Sequence, residues 1–252
     1  MEGCRLNRFL ASRGVASRRA CDDIIRAGRV CVNGTGVLSP GTNVTPGEDV
    51  IEVDGRAVAE KPEPIYVMLN KPAGVIVTAK DTRRRKAVTE LVPDSLGRLF
   101  PVGRLDLDTE GLLLLTNDGD LAFRLTHPSF GVEKVYEVLV RERPAERALT
   151  VLGEGVDFGE GLRSSPAKVR YVGGQERGHL IRLTICEGKK RQVRRMCRAV
   201  GLTVLSLRRT ALGPLELGSM PGGSWRELTG SELEALKACA REKPEGAGRS
   251  SR

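Results

Sequence analysis

The stretch Pro101-Val-Gly-Arg-Leu-Asp-Leu-Asp-Thr-Glu-Gly-Leu-Leu-Leu-Leu-Thr-Asn-Asp-Gly-Asp120 organises the rest of this chain. Its four consecutive leucines, followed by the turn residues Asn-Asp-Gly, predict a buried strand. Asp106 and Asp108 lie just before that strand, between two glycines. A carboxylate beside apolar backbone loses hydration and needs a cation or donor directed at it. The spacing alone leaves two interpretations open, a functional acid held in a tight loop and an acid that caps a turn.

A resemblance favours the functional interpretation. Residues 103–119 resemble, without a gap, the active-site signature of the RsuA/RluB type of pseudouridine synthase. The family's catalytic acid follows Arg-Leu, which implies Asp106 here, and Arg104 is implied to occupy the space of the displaced nucleotide. The implied reaction detaches uracil from its sugar, turns it and rejoins it through a ring carbon, without metal or cofactor. Two routes stay open, attack by Asp106 on the anomeric carbon and removal of a sugar proton to give a glycal.

A strand with a basic residue and a tyrosine on one face is predicted downstream. Residues 133–141 alternate in polarity, which places Lys134 and Tyr136 on the same face. By resemblance to the family's Lys-x-Tyr element, Tyr136 is implied to lie over the target base, and Lys134 is expected to contact RNA. From spacing alone a strand tyrosine is usually a core residue.

A third matching motif begins at Glu187-Gly188. It leads into a helix predicted from about residue 190 to residue 200, apolar on one face and strongly basic on the other. The resemblance implies that Arg194 pairs with Asp106 and keeps that carboxylate charged and oriented. The other basic residues of this segment are expected to meet RNA phosphates; they are Lys190, Arg191 and Arg195.

The first 34 residues form a basic module of two short predicted helices, and Ser17 is predicted to cap the second one, at 18–27. They contain seven arginines against three acids, and this concentration argues for a docking face. The pattern resembles the S4 RNA-binding domain, first described in a small-subunit ribosomal protein, over about the first sixty residues. The resemblance implies phosphate and sugar contacts from Arg5, Arg8, Ser17, Arg18, Arg19 and Arg29.

Composition points to a polyanionic partner. The 252-residue chain has a formal net charge of +9, and basic residues that neutralise phosphates gain free energy by counterion release. No apolar run is long enough to span a membrane, no signal peptide begins the chain, and the six cysteines lack metal-binding spacing. We therefore expect a cytoplasmic, monomeric protein that binds ribosomal RNA, with no metal and no cofactor. A structured stem-loop, free or in a partly assembled subunit, is the expected form of that RNA.

The predicted fold is α+β, with an S4-like module joined to a pseudouridine synthase domain built on a mixed, mostly antiparallel sheet. The expected boundaries are an RNA-binding domain at 1–60, a linker at 61–64, a catalytic domain at 65–232, and a helix end with a disordered basic tail at 233–252. A cationic run at 82–86 is either an RNA contact or a solvated loop. Large-subunit RNA is the favoured substrate. The alternatives are small-subunit RNA and an RNA-binding assembly factor without activity.

Overall fold

The computed structural model describes residues 3–78, 86–159 and 161–241. The chain divides into two compact units, Met1–Pro64 and Ile65–Arg252, so the division falls after the last proline of the Pro-rich stretch. Of the cationic run at 82–86, only Lys86 belongs to the described residues, and the predicted disordered tail lies outside them.

The first unit packs two helices against short strands. Ser17 begins the second helix by accepting a hydrogen bond from the Ala20 amide at 3.2 Å, as its position predicted. The core of the unit is apolar and includes Leu6, Leu10 and Ile25, all fully buried. The elements are β1 (Cys4–Arg5), α1 (Leu6–Ser12), α2 (Arg18–Arg26), β2 (Val30–Val32), β3 (Thr35–Val37), β4 (Asn43–Val44), β5 (Ile51–Val53) and β6 (Arg56–Ala57). Strands β3, β2, β5 and β6 form one antiparallel sheet, and β1 pairs with β4.

The second unit is built on one mixed sheet, and the mixed, mostly antiparallel architecture predicted from the sequence is confirmed. Its elements are β7 (Tyr66–Lys71), β8 (Phe100–Pro101), β9 (Glu110–Thr116), α3 (Gly119–Thr126), β10 (Lys134–Val140), α4 (Glu146–Glu154), β11 (Lys168–Gln175), β12 (Gly178–Ile185), α5 (Gln192–Ala199), β13 (Val204–Leu212), β14 (Leu215–Glu216), β15 (Trp225–Glu227) and α6 (Gly230–Cys239). The strand order is β11-β12-β10-β13-β9-β7-β15, with β14 on β13 and β8 on β9. Within the described residues, β13 and β9 are the parallel pair of named strands.

Strand β9 lies at the centre of the sheet and is covered on both faces. Leu113 and Leu115 belong to the core cluster that includes residues of α5, while Leu112 and Leu114 pack in the cluster formed with α3 and α6. Because successive side chains of a strand point to opposite faces, a strand between two layers must be apolar at every position. The four leucines satisfy this requirement, which is why their run predicted the strand correctly.

Helix α3 begins after Asp118, whose carboxylate accepts hydrogen bonds from two amides of the first turn and so caps the helix. The apolar run 75–77 contributes only an isolated bridge from Ile76 to Ala87. None of the described helices is long and apolar enough to cross a membrane.

Candidate active site

A cleft of about 290 Å3 opens in the second unit, beside the loop between β8 and β9. Asp106 and Tyr136 both line it, together with apolar side chains such as Leu105 and Val193. Among its described lining residues, Asp106 is the one carboxylate, and every other charged side chain is a cation. The basic lining residues are Arg104, Lys134, Lys189, Lys190, Arg191 and Arg209. This balance suits a polyanion whose reacting part meets a single acid.

Asp106 lies at the start of a tight turn. The Thr109 amide donates to the Asp106 carbonyl oxygen at 3.1 Å, and Thr109 is itself buried. The Asp106 side chain is partly buried. Within the part of the chain that the structure describes, its carboxylate makes no hydrogen bond and no ion pair. An acid in this state is open to a substrate at the cleft.

Asp108, not Asp106, forms ion pairs with two arginines at the start of α5. Arg191 donates from both terminal nitrogens to the two Asp108 oxygens, each at 3.0 Å. Arg194 places its Nε 3.3 Å from Asp108 Oδ2 and donates from Nη2 to the Asp108 carbonyl oxygen at 2.8 Å. The pKa of the Asp108 carboxyl is lowered, chiefly by the Arg191 hydrogen bonds.

The predicted ion pair between Arg194 and Asp106 is therefore wrong in this structure. The turn at residues 106–109 separates the two acids, so that Asp106 lines the cleft and Asp108 meets the start of α5. A carboxylate at a helix N-terminus is further favoured by the helix dipole. Arg191 has a left-handed backbone with φ of 51°, an uncommon conformation that its two bonds to Asp108 help to hold.

Lys71 of β7 stabilises the same loop through hydrogen bonds to backbone carbonyl oxygens. Its fully buried ammonium donates to the carbonyl oxygens of Thr109 at 2.7 Å and Pro72 at 2.9 Å, with Leu107 further away at 3.4 Å. Burial lowers the pKa of Lys71 to about 8, against the opposing effect of nearby acids that include Asp106. Lys71 and the α5 arginines thus hold the acid-bearing loop from two sides.

The floor of the cleft comes from β10 and β13. Lys134 and Tyr136 share a buried face of β10, as the alternation predicted. Tyr136 faces Arg209 of β13 across the sheet, and both side chains are less than a tenth exposed. Lys134 is buried as well and donates to the carbonyl oxygens of Val132 and Cys186. It therefore lies inside the cleft that Tyr136 also lines, and its predicted contact with RNA stays a prediction.

The other predicted RNA contacts of this unit fall into two groups. Arg104 and Lys190 are exposed and line the cleft, where a phosphate can reach them. Arg191 is exposed there too, but both of its terminal nitrogens are bound to Asp108, so its charge is largely neutralised. Arg195 instead donates to the carbonyl oxygens of Phe158 and Gly159 and stacks over the Phe158 ring at 4.9 Å. Its guanidinium is occupied within the fold, so the structure does not support Arg195 as an RNA contact.

In the first unit, the side chains predicted to bind RNA differ in exposure and in their contacts. Arg5, Arg8, Arg18 and Arg19 are exposed. Arg29 forms a two-point ion pair with Asp54 at 2.8 and 2.5 Å, so its charge is largely neutralised. The Ser17 hydroxyl accepts from the Ala20 amide as the cap of α2. Exposure therefore favours Arg5, Arg18 and Arg19 as phosphate contacts of the S4-like unit.

Sequence reasoning missed Lys71 and Arg209 as members of the site. Lys71 belongs to Asn70-Lys-Pro-Ala-Gly74, which predicted only a turn. A lysine inside a run of strand residues was the available signal, because buried lysines need a specific partner. Arg209 gave no comparable signal. It is one of two adjacent arginines, and the sequence does not show that Arg209 is buried while Arg208 is partly exposed. In the described ranges, His, Cys, Asp and Glu form no cluster of three or more that can hold a metal ion.

Comparisons with known proteins cover both units. The family model described as RNA pseudouridylate synthase matches residues 65–199, and the S4 domain model matches residues 4–50. The chain is 43% identical to ribosomal large subunit pseudouridine synthase B of Bacillus subtilis over 94% of this chain and 96% of that protein. It is 42% identical to an uncharacterized RNA pseudouridine synthase of Aquifex aeolicus, over 92% and 93% of the two chains. A solved pseudouridylate synthase superposes with a TM-score of 0.67 and 34% identity, covering 92% of this chain and 99% of the other.

Proposed function

The chain belongs to the RNA pseudouridylate synthase family, and from that premise we propose that it converts a uridine of large-subunit ribosomal RNA into pseudouridine. The observation that carries the proposal is the state of Asp106, a partly buried carboxylate without an ion-pair partner among the described residues, beside Tyr136 in a basic cleft. The relative from Bacillus subtilis is named for the large ribosomal subunit, which favours that RNA over the small-subunit alternative.

The reaction is an isomerisation within one nucleotide. The bond between N1 of uracil and C1′ of the sugar breaks, the ring turns, and C5 bonds to C1′. C5 then loses its proton while N1 ends the reaction protonated, so no redox partner is needed. Asp106 begins the reaction on either route, as nucleophile at C1′ or as base toward a sugar proton. Tyr136 stacks on the ring.

Arg194 has a positioning role in this proposal. Because it binds both the carboxylate and the backbone carbonyl of Asp108, it fixes the loop on which Asp106 lies. Lys71 acts on the same loop through the Thr109 carbonyl oxygen. The loop must hold the Asp106 carboxylate near one sugar atom, and small displacements of a reacting group reduce rates strongly.

The target nucleotide must leave its stack to reach the cleft. Extrusion costs a few kcal/mol and costs least in loops and bulges. We propose a structured stem-loop as substrate, contacted by exposed cations of the cleft rim and by the arginines of the S4-like unit. The protein is proposed to act in the cytoplasm as a monomer, on free RNA or on a partly assembled subunit.

Mapping pseudouridine in ribosomal RNA tests the substrate. Cells that lack this protein should lose one or a few modified positions in large-subunit RNA. Wild-type protein should restore them, and Asp106→Asn should not. Loss of a position in small-subunit RNA would establish the other substrate, and an unchanged map would favour a non-catalytic assembly factor.

The Asp106→Asn protein also tests the chemistry directly. It should bind the mapped RNA with nearly the affinity of the wild-type protein and produce no pseudouridine, because the amide is neither a nucleophile nor a base. Persistent turnover would refute the assignment of Asp106.

A further inference from the structure

Arg209 is a buried cation with an unused hydrogen-bond donor. It is only 2% exposed, yet it lines the cleft. Its Nε donates to the Leu112 carbonyl oxygen at 2.8 Å. Its terminal nitrogen Nη2 has no hydrogen-bond partner among the residues that the structure describes. A buried charged donor without an acceptor is unfavourable, so its presence in a substrate cleft calls for a ligand that supplies one.

The backbone around Arg209 holds it in place. Strands β13 and β9 pair in parallel with Arg209 opposite Gly111. A Cβ atom at residue 111 would lie 2.2 Å from the Arg209 carbonyl oxygen, so the strands approach too closely for any residue but glycine. The neighbouring bond to Leu112 fixes the guanidinium further. Its position is therefore set before substrate arrives, as electrostatic preorganisation requires.

A second buried cation lies close by and adds to the positive charge. Lys134 is 8% exposed and lines the same cleft. Burial lowers the pKa of Lys134 to about 8, and repulsion by Arg209 lowers it in the same direction. The floor of the cleft thus holds two buried cationic side chains, Lys134 and Arg209.

We propose that Arg209 contacts the base, donating a hydrogen bond from its guanidinium to a carbonyl oxygen of the extruded uracil ring, beside Tyr136. This inference rests on the proposed function and extends it to the identity of a base-contacting residue. When the N1–C1′ bond breaks with its electron pair moving to the ring, negative charge spreads over O2 and O4. A fixed, buried guanidinium stabilises that charge more than it stabilises neutral uracil. Lys134 strengthens the effect through its charge.

The experiment pairs a change in the protein with a change in the substrate. The substrates are three RNA stem-loops that carry the mapped uridine, the same site as 2-thiouridine, and the same site as 4-thiouridine. Sulfur is a weaker acceptor than oxygen. Arg209→Met is the test variant, and Arg208→Met is its matched control, because Arg208 is the same residue type on the opposite face of β13. Single-turnover rate and RNA affinity are measured for each combination.

We expect the effect of Arg209→Met and the effect of sulfur substitution on the rate to be coupled at one of the two carbonyl positions of uracil. Arg209→Met should lower the single-turnover rate by about 100-fold with little change in RNA affinity, as removal of a transition-state donor does. One thio substitution should slow the wild-type and Arg208→Met proteins but have no further effect on Arg209→Met. Independent effects at both positions, or an unchanged rate in Arg209→Met, would overturn the inference.

Two controls keep the outcomes distinct. Thermal unfolding reports whether Arg209→Met remains folded at the assay temperature. If it does not, Arg209→Gln replaces it in the same design, since the amide keeps a donor but removes the charge; rates equal to wild type with all three RNAs would then refute the inference. A wild-type protein that makes no pseudouridine would refute the proposed function itself, whereas an active wild-type protein without coupling refutes only the role of Arg209.

Discussion

The S4-like unit and the cleft of the second unit both offer basic side chains to RNA, but in opposite physical states. Arg18 and Arg19 of the first unit are exposed and hydrated. Lys71, Lys134 and Arg209 of the second unit are less than a tenth exposed. Exposed cations attract phosphates through counterion release, which needs no particular geometry and weakens with salt. Buried cations are screened much less by salt and are held in position, so they serve orientation and charge stabilisation rather than affinity.

Among residues that do not contact the substrate, the largest effect should come from loosening the acid-bearing loop. Lys71→Met leaves the buried carbonyl oxygens of Thr109 and Pro72 without their donor. We expect the single-turnover rate to fall by about 100-fold because Asp106 loses its fixed position, and RNA affinity to change little. Rates and dissociation constants measured on the mapped stem-loop check this. A loss of RNA affinity without a loss of rate would contradict the proposal that buried cations of the cleft serve orientation and exposed arginines of the S4-like unit serve affinity.

Salt titration tests whether exposed arginines of the S4-like unit bind RNA phosphates. Replacing Arg18 and Arg19 together by Ala should weaken RNA binding roughly tenfold and reduce the slope of log affinity against log salt by about one unit per lost phosphate contact. The single-turnover rate at saturating protein should stay unchanged. Arg29→Ala is the matched control, since Asp54 already neutralises this arginine; it should change the slope less than either of the other two arginines.

Raising the pH should lower the reaction rate of the wild-type protein and leave its RNA affinity unchanged. The pKa values of Lys71 and Lys134 lie at about 8, chiefly because of burial. Both ammonium groups are charged below that pH and become neutral above it, so the rate should fall as pH rises, about tenfold by pH 9 if one charged form is required. RNA affinity should stay flat, because arginine remains protonated. A rate that stays constant from pH 7 to pH 9 would contradict the role of buried ammonium groups.

The smallest expected effect concerns the ion pair at the start of α5. Asp108→Asn keeps an acceptor for Arg191 and Arg194 but removes the charge, and the pair is partly exposed. Because exposed ion pairs contribute little, we expect a rate loss of only about two- to fivefold and a small fall in thermal stability. The corresponding Asp106→Asn protein is the contrast, with binding retained and no turnover.

The sequence predicted those elements whose pattern reflects burial directly. The leucine run of β9 and the alternation of β10 identified two central strands, because each side chain there must fit one or both faces of a sheet. Ser17 identified the start of α2 through local cap chemistry.

Within the candidate site, the three segments predicted from the sequence line one cleft, but the predicted pairing of Arg194 with Asp106 is wrong. The two acids are separated by one residue, and no periodicity shows which of them meets the arginines of a helix more than eighty residues later. The contact of Arg194 with Asp108 depends on the direction of a turn, which the backbone hydrogen bond from Thr109 decides. Arg195 and Arg29 illustrate the same limit, because an arginine looks available in a sequence until its acceptor is seen.

By itself, the sequence determined the basic character and the two-part organisation through composition and local pattern, and its motifs identified the family by resemblance. The resemblance also selected Asp106 as the candidate acid, which stays a prediction. Only the tertiary structure decided which cations are free, which are buried and which acid each one meets. The physical reason is that hydrogen bonding and desolvation depend on distances between groups remote in the chain. The close approach of β9 and β13 at Gly111 brings Arg209 to the floor of the cleft, and nothing local to either strand specifies that position.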